Sequence, residues 1–186
     1  DNLFERQTTR TLAVYVQDHM RLADGWFATL GIRLDDHDRF GTKATFRIAS
    51  TYQIRNSGTR IKATYGSGFK APSLYQLYSL YGDEALDPET SSGWDAGIEQ
   101  SFWSERLILG ATYFSNEFEQ MIDFDSVNWK YVNIGTAKTS GLELSAIAHV
   151  GSAWTLSAGY TFTDAKDKAS GENLLRRAKH KANVSA

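Results

Sequence analysis

The feature that most limits what this chain can become is a two-residue rhythm in its hydrophobicity, running almost from end to end. In AWTLSAGYTFT, Trp154, Leu156, Ala158, Tyr160 and Phe162 alternate with Thr155, Ser157, Gly159, Thr161 and Thr163. Successive side chains of a strand point to opposite faces, so this segment makes a ribbon with one apolar and one polar side. Trp26, Ala28, Leu30, Ile32 and Leu34 sort in the same way against Phe27, Thr29, Gly31, Arg33 and Asp35. So do Leu142, Leu144, Ala146 and Ala148 against Glu143, Ser145, Ile147 and His149. In WDAGIEQSF the rhythm is interrupted only by Gln100, a polar residue on the apolar side. Helical spacing persists nowhere for long. The pattern predicts about nine strands, near 11–21, 26–36, 43–53, 59–69, 90–102, 105–118, 130–149, 153–165 and 179–186.

The connections alternate too. Short turns are expected at 22–25, 55–58, 102–105 and 149–153, and longer polar links at 35–42, 70–89, 118–129 and 166–179. Short, long, short, long describes an all-β, antiparallel up-and-down meander with tight turns at one end and extended loops at the other, the layout of an outer-membrane barrel. Trp26, Phe102, Trp103 and Trp154 lie beside short turns, and Phe69, Phe118, Trp129 and Phe162 near long ones. Two aromatic belts are the expected result, since such rings settle at both membrane interfaces. Strand alternation is shared with a soluble β-sandwich, which therefore stands as the alternative. Arg33, Asp35, Arg47, Lys62, Asp95, Glu99 and Glu143 on the polar faces suit a wet lumen or a solvated sandwich surface.

Composition removes several function classes. A net charge of -2, from 20 basic and 22 acidic residues, supplies no global attraction for nucleic acid. With no cysteine there are no disulfides, no Cys-ligated zinc and no thiol nucleophile. No apolar run is long enough for a transmembrane helix, whereas a transmembrane strand needs only about 10 alternating residues. His19, His37, His149 and His180 are scattered, and neither HExxH nor G-x-S-x-G occurs. No enzyme and no cofactor are expected.

One stretch invites a different reading. In YGSGFKAPSLYQLY, Gly66, Gly68 and Ala71 have the G-x-G-x-x-A spacing of a dinucleotide loop. That loop must follow a buried parallel strand and open a crossover helix. Here the preceding TRIKATYG alternates polar and apolar, and Pro72 follows directly. The glycines are better explained as close-approach positions on a strand face shared with Lys62 and Thr64, ended by Ala71-Pro72.

Five runs in order, YGSGFKAPSLYQLY, LDPETSSGWDAGIEQ, LGATYFSNEFEQMIDF, YVNIGTAKTSGLELSA and LLRRAKHKANVSA, closely resemble the barrel of TonB-dependent outer-membrane receptors, in the branch of cobalamin and siderophore receptors. AVYVQDHMRLADGWFATLGIRLDDH is similar to the strands preceding them, so the resemblance covers essentially the whole chain. It implies that residues 1–186 are a partial barrel domain, about nine strands of a 22-stranded transmembrane barrel. The plug domain and final strands would lie outside it. The implied location is the bacterial outer membrane, with lipid and lipopolysaccharide as neighbours. The implied cargo is an iron chelate or a cobalamin, and TonB is reached only through the plug. One departure stands in a loop: LLRRAK lacks the proline the family usually places after the paired arginines. The rival expectation is a free-standing small barrel or sandwich that binds a ligand by itself.

Candidate contact residues fall in the long links. Tyr75, Tyr78 and Tyr81 recur every three residues beside Leu74, Leu77 and Leu80, compatible with a short helical turn carrying an aromatic face. Such a face could grip a large organic ligand at the barrel mouth, or pack against neighbouring loops. Arg176 and Arg177 could attract an anionic siderophore or a lipopolysaccharide phosphate, or be a solvated loop. Asp35, Asp36 and Asp38 around His37, then Asp83, Glu84 and Asp87, then Asp123 and Asp125, could be oxygen ligands for calcium. None has a defined ligand spacing, so solvated loops are the expectation and no metal site is assigned.

Overall fold

The computed structural model describes residues 6–174 and 177–186. Nine strands form one antiparallel sheet in strict sequence order. They are β1 (Thr11–Ala23), β2 (Trp26–His37), β3 (Gly41–Gln53), β4 (Thr59–Lys70), β5 (Glu89–Phe102), β6 (Leu107–Asp125), β7 (Lys130–Val150), β8 (Trp154–Asp167) and β9 (His180–Ser185). A short helix, α1 (Leu74–Tyr78), lies between β4 and β5. All nine expected strands are present. Among the described residues β1 and β9 are the two edges of this sheet, and no second sheet packs on it, so the chain is neither a closed small barrel nor a sandwich.

Register keeps the two faces apart across the whole sheet. Arg47 stands opposite Gly31 and Gly66, Asp95 opposite Thr64 and Phe114, and Glu143 opposite Thr112 and Thr161. On the other face Leu30 pairs with Ile48, Ile61 with Ile98, and Leu144 with Ala111 and Tyr160. A slip of one residue would exchange the faces, so the pattern itself holds the register. Gln100, the interruption on the apolar side, accepts from the Thr59 hydroxyl at 2.6 Å and donates to the Ser57 carbonyl at 2.7 Å, so its amide is satisfied at the short-turn end.

The sheet is one layer thick, and this decides where its hydrophobic stabilisation comes from. No large side chain is fully buried among the described residues; the buried apolar ones are Leu77, Leu86, Ala137 and Ala165. Leu144 is 42% exposed although β7 has a neighbour on both sides. Covering a side chain of that size contributes roughly 1.5–3 kcal/mol. The chain therefore leaves most of its apolar surface to a covering that it does not itself provide.

Two outcomes differ from the sequence expectation. The polar link expected over 35–42 is a tight turn at 38–40, because Asp35 and Asp36 stay in the ladder opposite Lys43 and Thr42. The link expected over 118–129 is mostly strand: β6 and β7 stay paired out to Asp125 and Lys130, leaving a turn at 126–129. Polar composition suggests loop, but a hairpin standing in water can be polar on both faces and still pair. This hairpin reassigns two belt residues. Phe118 alternates onto the polar face, opposite Ser91 and Ala137, and Trp129 sits at the far tip. The upper row on the apolar face is instead Phe46, Tyr65, Trp94, Tyr113 and Phe162, with Phe46–Tyr65 at 5.4 Å and Trp94–Tyr113 at 5.5 Å. At the short-turn end Trp26 faces Tyr52, and its indole donates to Ser50 at 2.9 Å. Trp94 and Phe102 on β5, like Trp154 and Phe162 on β8, are eight positions apart. That is about 27 Å along a strand, or about 20 Å along a bilayer normal at the usual tilt, close to an outer-membrane apolar band.

The motif Gly66-x-Gly68 lies within β4, whose partners are antiparallel, and the helix after it has only five residues. Gly66 faces Gly93, and a Cβ on Gly68 would stand 2.5 Å from Ser91 Oγ. The glycines are wall positions.

A pair of adjacent substitutions tests the two faces. In protein folded into lipid vesicles, Ala146→Arg on the apolar face should destabilise by about 2–4 kcal/mol. Ser145→Arg on the polar face should cost much less, as read by urea titration.

Candidate functional site

The loop-side rim is built by the link between β4 and β5 and by the two hairpins that flank it. Ser73 caps α1: its hydroxyl accepts from the Gln76 amide at 3.2 Å, and the Gln76 side chain accepts from the Ser73 amide at 2.9 Å. This reciprocal cap satisfies two otherwise orphaned donors. Leu77 and Leu86 are each 4% exposed and form the small apolar centre of the link.

The three tyrosines do not share one face. Tyr81 meets Phe124 edge-on at 5.8 Å and Trp129 at 6.0 Å, while Phe124 contacts Tyr131 at 5.3 Å and Tyr75 contacts Tyr131 at 6.0 Å. Tyr75 and Tyr81 thus join an aromatic group on the β6–β7 hairpin. The Tyr131 amide also donates to the Tyr81 carbonyl at 2.9 Å. Tyr78 turns the other way, to the β2–β3 turn, where the Arg39 guanidinium donates to its hydroxyl and lies 5.5 Å from its ring centre. Arg39 also donates to the Glu84 carbonyl and pairs with the Glu84 carboxylate at 3.4 Å. The link is held on both flanks. Tyr75 keeps a partly exposed ring, and Trp129 is 61% exposed at the hairpin tip.

Two anchors were not singled out from sequence. Asn133 accepts from the Asp87 amide at 2.8 Å and donates to the carbonyls of Asp87 at 3.0 Å and Gln120 at 2.8 Å, so one amide ties the link to the hairpin. Arg39 is the other. The usable signal for the hairpin was FDSVNWKY, in which Phe124 and Tyr131 stand symmetrically about a turn and pair directly across it.

Most of the acidic residues considered for calcium are engaged with protein groups. Asp35 pairs with Arg33 at 2.7 Å, Asp36 accepts from Thr42 at 2.9 Å, and Asp83 accepts from the Ala85 amide at 2.8 Å. Asp123 accepts from the Phe124 amide at 2.8 Å, and Asp125 caps its turn through Val127 and Asn128. Among the described residues no three His, Asp or Glu side chains converge as metal ligands. Asp125 is held below the ordinary carboxylate value first by the Asn128 side chain, then by the Val127 and Asn128 amides. Asp38 is held low first by the Arg10 amide and then by the Thr9 hydroxyl. Arg176 lies outside the described residues. Arg177 is exposed in the link between β8 and β9, the next link in strand order after the β6–β7 hairpin, to which the Lys168 amide ties it through the Thr136 carbonyl at 2.8 Å.

The polar face below this rim carries a depression of about 670 Å³ lined by Arg47, Lys62, Asp95, Thr112, Asn116 and Glu143, among others. Near the short turns Glu99 bridges Arg60 at 2.9 Å and Lys62 at 2.8 Å. The family model described as "TonB dependent receptor-like, beta-barrel" matches residues 1–186. The chain belongs to this family of TonB-dependent receptor barrels. Among solved structures it is similar to the siderophore receptor PirA from Pseudomonas aeruginosa, at 31% identity over 89% of this chain and 34% of that one, with a TM-score of 0.78. A variant of the ferric enterobactin receptor PfeA from Pseudomonas aeruginosa, in complex with enterobactin, matches at 23% identity over 95% of this chain and 30% of its own, TM-score 0.81. The ferripyoverdine receptor of the outer membrane of Pseudomonas aeruginosa matches at 21% identity over 95% and 25%, TM-score 0.76. The chain thus spans between a quarter and about a third of the length of these receptors. As a TonB-dependent receptor barrel it has a lipid-facing apolar side and a lumen-facing polar side.

Two measurements follow at the rim. Edge-on ring pairs contribute about 0.5–1.5 kcal/mol each, so Phe124→Ala should raise amide exchange in residues 71–88 well before it changes exchange in β4 or β5. Asp38 has a depressed folded value, so its contribution is complete above the ordinary carboxylate value of 3.8 and is lost as pH falls through the depressed one. Protection of the Arg10 amide should therefore fail only below about pH 4, and Asp38→Asn should weaken it above that pH and match the wild type once Asp38 is protonated.

Proposed function

We propose that this chain is wall and rim of an outer-membrane TonB-dependent receptor that imports a ferric siderophore. The observation that carries the reading is the 31% identity, over 89% of the chain, to a siderophore receptor. The enterobactin and ferripyoverdine receptors share the fold, which favours an iron chelate over cobalamin. Residues 1–186 would be one sector of a larger barrel, with further strands pairing the open edges of β1 and β9 and a plug inside. Open edges in lipid would leave backbone donors and acceptors unpaired, at several kcal/mol each.

In this reading the rim takes the first contact. Iron chelates are bulky, often aromatic, and commonly anionic. Tyr75 on α1 and Trp129 on the hairpin anchored by Asn133 offer ring faces, and Arg177 adds positive charge on the β8–β9 link. TonB acts on the plug, so this segment contributes to transport by holding the ligand and lining the path. The reaction is transport without covalent change of the cargo.

Deleting the gene for the intact receptor should abolish growth of iron-starved cells on the cognate ferric siderophore and leave cobalamin-dependent growth unchanged. Tyr75→Ala combined with Trp129→Ala should raise the siderophore concentration for half-maximal uptake by about ten-fold, on the scale of two lost ring contacts. Loss of cobalamin uptake with normal iron uptake would replace this reading.

A further inference from the structure

One seam in the wall is left open by the pairing. The β2–β3 ladder continues up to His37 and Gly41, and the β4–β5 ladder up to Lys70 and Glu89. β3 and β4 pair with each other only as far as Arg47 and Gly66. Phe46 belongs to the upper aromatic row, so the unpaired stretch, 41–46 against 67–70, stands above the apolar band and spans about 20 Å of strand on the β3 side. Both ends of the seam are defined. At its foot the Phe46 amide donates to the Ser67 hydroxyl at 3.1 Å instead of to a carbonyl. At its top Arg39 donates to the Tyr78 hydroxyl and the Glu84 carbonyl, so the two hairpins meet again.

Backbone chemistry and charge say what fits there. Even-numbered residues of this strand aim their amides toward β4: Ile54, just past the end of β3, donates to the Thr59 carbonyl at 2.9 Å. Thr42 and Ala44 therefore turn alternating donors and acceptors into the seam, where the ladder gives them no partner. Such an edge is a template for another backbone. The lumen face of β2–β5 selects the sign of charge. From the Arg47 row upward it carries the cations Arg33, Lys43, Arg47 and Lys70 and the anions Asp35 and Glu89. Asp35 pairs with Arg33 and Glu89 with Lys70, so Lys43, although opposite Asp35 in the ladder, and Arg47 make no ion pair among the described residues. A depression of about 300 Å³ over Gly31 runs from Tyr15, Gln17 and Arg33 past Arg47 to Ser67, at the foot of the seam. Gly66 and Gly68 leave the lumen side of β4 bare beside it.

We propose that the seam between β3 and β4 receives an extended acidic segment of a partner polypeptide that reaches the rim from outside the cell. The segment pairs its backbone with Thr42 and Ala44. Its lumen-facing residues bring carboxylates to Lys43 and, diagonally, to Arg47. The alternate residues lie beside Thr42, Ala44 and Phe69 on the outer face, where the wall offers no charge, and are uncharged. Entry breaks no ladder pair, because the Arg39 contacts alone close the top of the seam.

The test uses the intact receptor in mild detergent without siderophore, and a fluorescent hexapeptide of alternating Glu and Thr as the probe, read by anisotropy. The wild type should bind this peptide at least about ten-fold more tightly than a Lys–Thr counterpart or a copy N-methylated along one edge. Lys43→Gln combined with Arg47→Gln should weaken binding about ten-fold. Arg39→Ala should strengthen it about three-fold by freeing the top of the seam, whereas plain charge attraction would lose affinity with that cation. A peptide carrying one cysteine should form a disulfide with Ala44→Cys and not with Thr90→Cys, which stands on the outer face of β5 with ladder partners on both sides. Heat-modifiable electrophoretic mobility confirms that each variant is folded. No binding by the folded wild type, equal binding of the N-methylated or Lys–Thr peptide, unchanged or weaker binding by Arg39→Ala, or equal cross-linking at the two cysteines would overturn the proposal. Siderophore uptake by the same receptor is read separately, so either result leaves the function reading standing on its own test.

Discussion

Everything in this chain depends on pairing the backbone across a single layer that separates two solvents. Between the rows marked by Trp154 and Phe162 no water is available on the outer side, so each amide and carbonyl must find its partner in the adjacent strand. The ladder from β1 to β9 meets most of that demand; between β3 and β4 it stops at Arg47 and Gly66, and there the Phe46 amide donates to the Ser67 hydroxyl at 3.1 Å. Once it is met, side-chain chemistry is free to differ between faces, and a mean hydropathy of -0.41 is compatible with a membrane wall. Half of each strand is written for water.

The polar face is also thin, and thinness is a property with consequences. Gly66 faces Gly93, Gly97 lies between Lys62 and Thr112, Gly110 faces Ser145, and Gly159 lies between Ser145 and Asn183. A Cβ at Gly97 would come within 2.9 Å of the Ala111 carbonyl, and one at Gly141 would run into the Phe162 carbonyl and the ring of Phe114. Phe114 thus covers the gap that Gly141 leaves. The missing side chains bring the wall's backbone close to whatever occupies the lumen, with charged residues such as Arg47, Asp95 and Glu143 set among them. That combination suits a face that meets a hydrated body over a large area, and suits poorly a face that is the hydrophobic core of a sandwich.

Strand number, order and facing were legible in the sequence because period-two alternation encodes register directly: Leu142, Leu144 and Ala146 can only be together on one side. What was not legible lay above the membrane, where neither face is apolar and the rhythm carries no contrast. The ladder from Glu119 to Asp125 and from Lys130 to Thr136 is therefore invisible to periodicity, although it is continuous hydrogen-bonded strand. The rim is harder still. Tyr75, Tyr78 and Tyr81 were found by spacing, yet their division between two hairpins depends on Arg39 and Phe124, which lie 39 residues before Tyr78 and far along the chain after Tyr81. Asn133 binds two carbonyls and an amide, and nothing in YVNIG distinguishes it from a loop asparagine. Local pattern reports faces; it does not report which distant loop a face will meet.

That division of the tyrosines bears on how the rim can work. A five-residue helix is far below the length at which helices stand alone, about 12–15 residues. Its form is therefore imposed by its cap, by Leu77 and Leu86 beneath it, and by the contacts on its flanks. Tyr78 and Arg39 bind it to the β2–β3 turn; Tyr81, Phe124 and Asn133 bind it to the β6–β7 hairpin. Under the proposed function a ligand touching Tyr75 would meet a ring carried by this helix and packed against Tyr131, so displacement of α1 would be resisted from both sides at once. The hairpin provides the stiffness, because it continues membrane-anchored strands without a break, and the link provides the ring surface. Were the tyrosines on a free helix, ligand contact would first have to order it, and that entropic cost would be subtracted from affinity. Anchoring α1 between two extensions of the wall removes most of that cost before any ligand arrives.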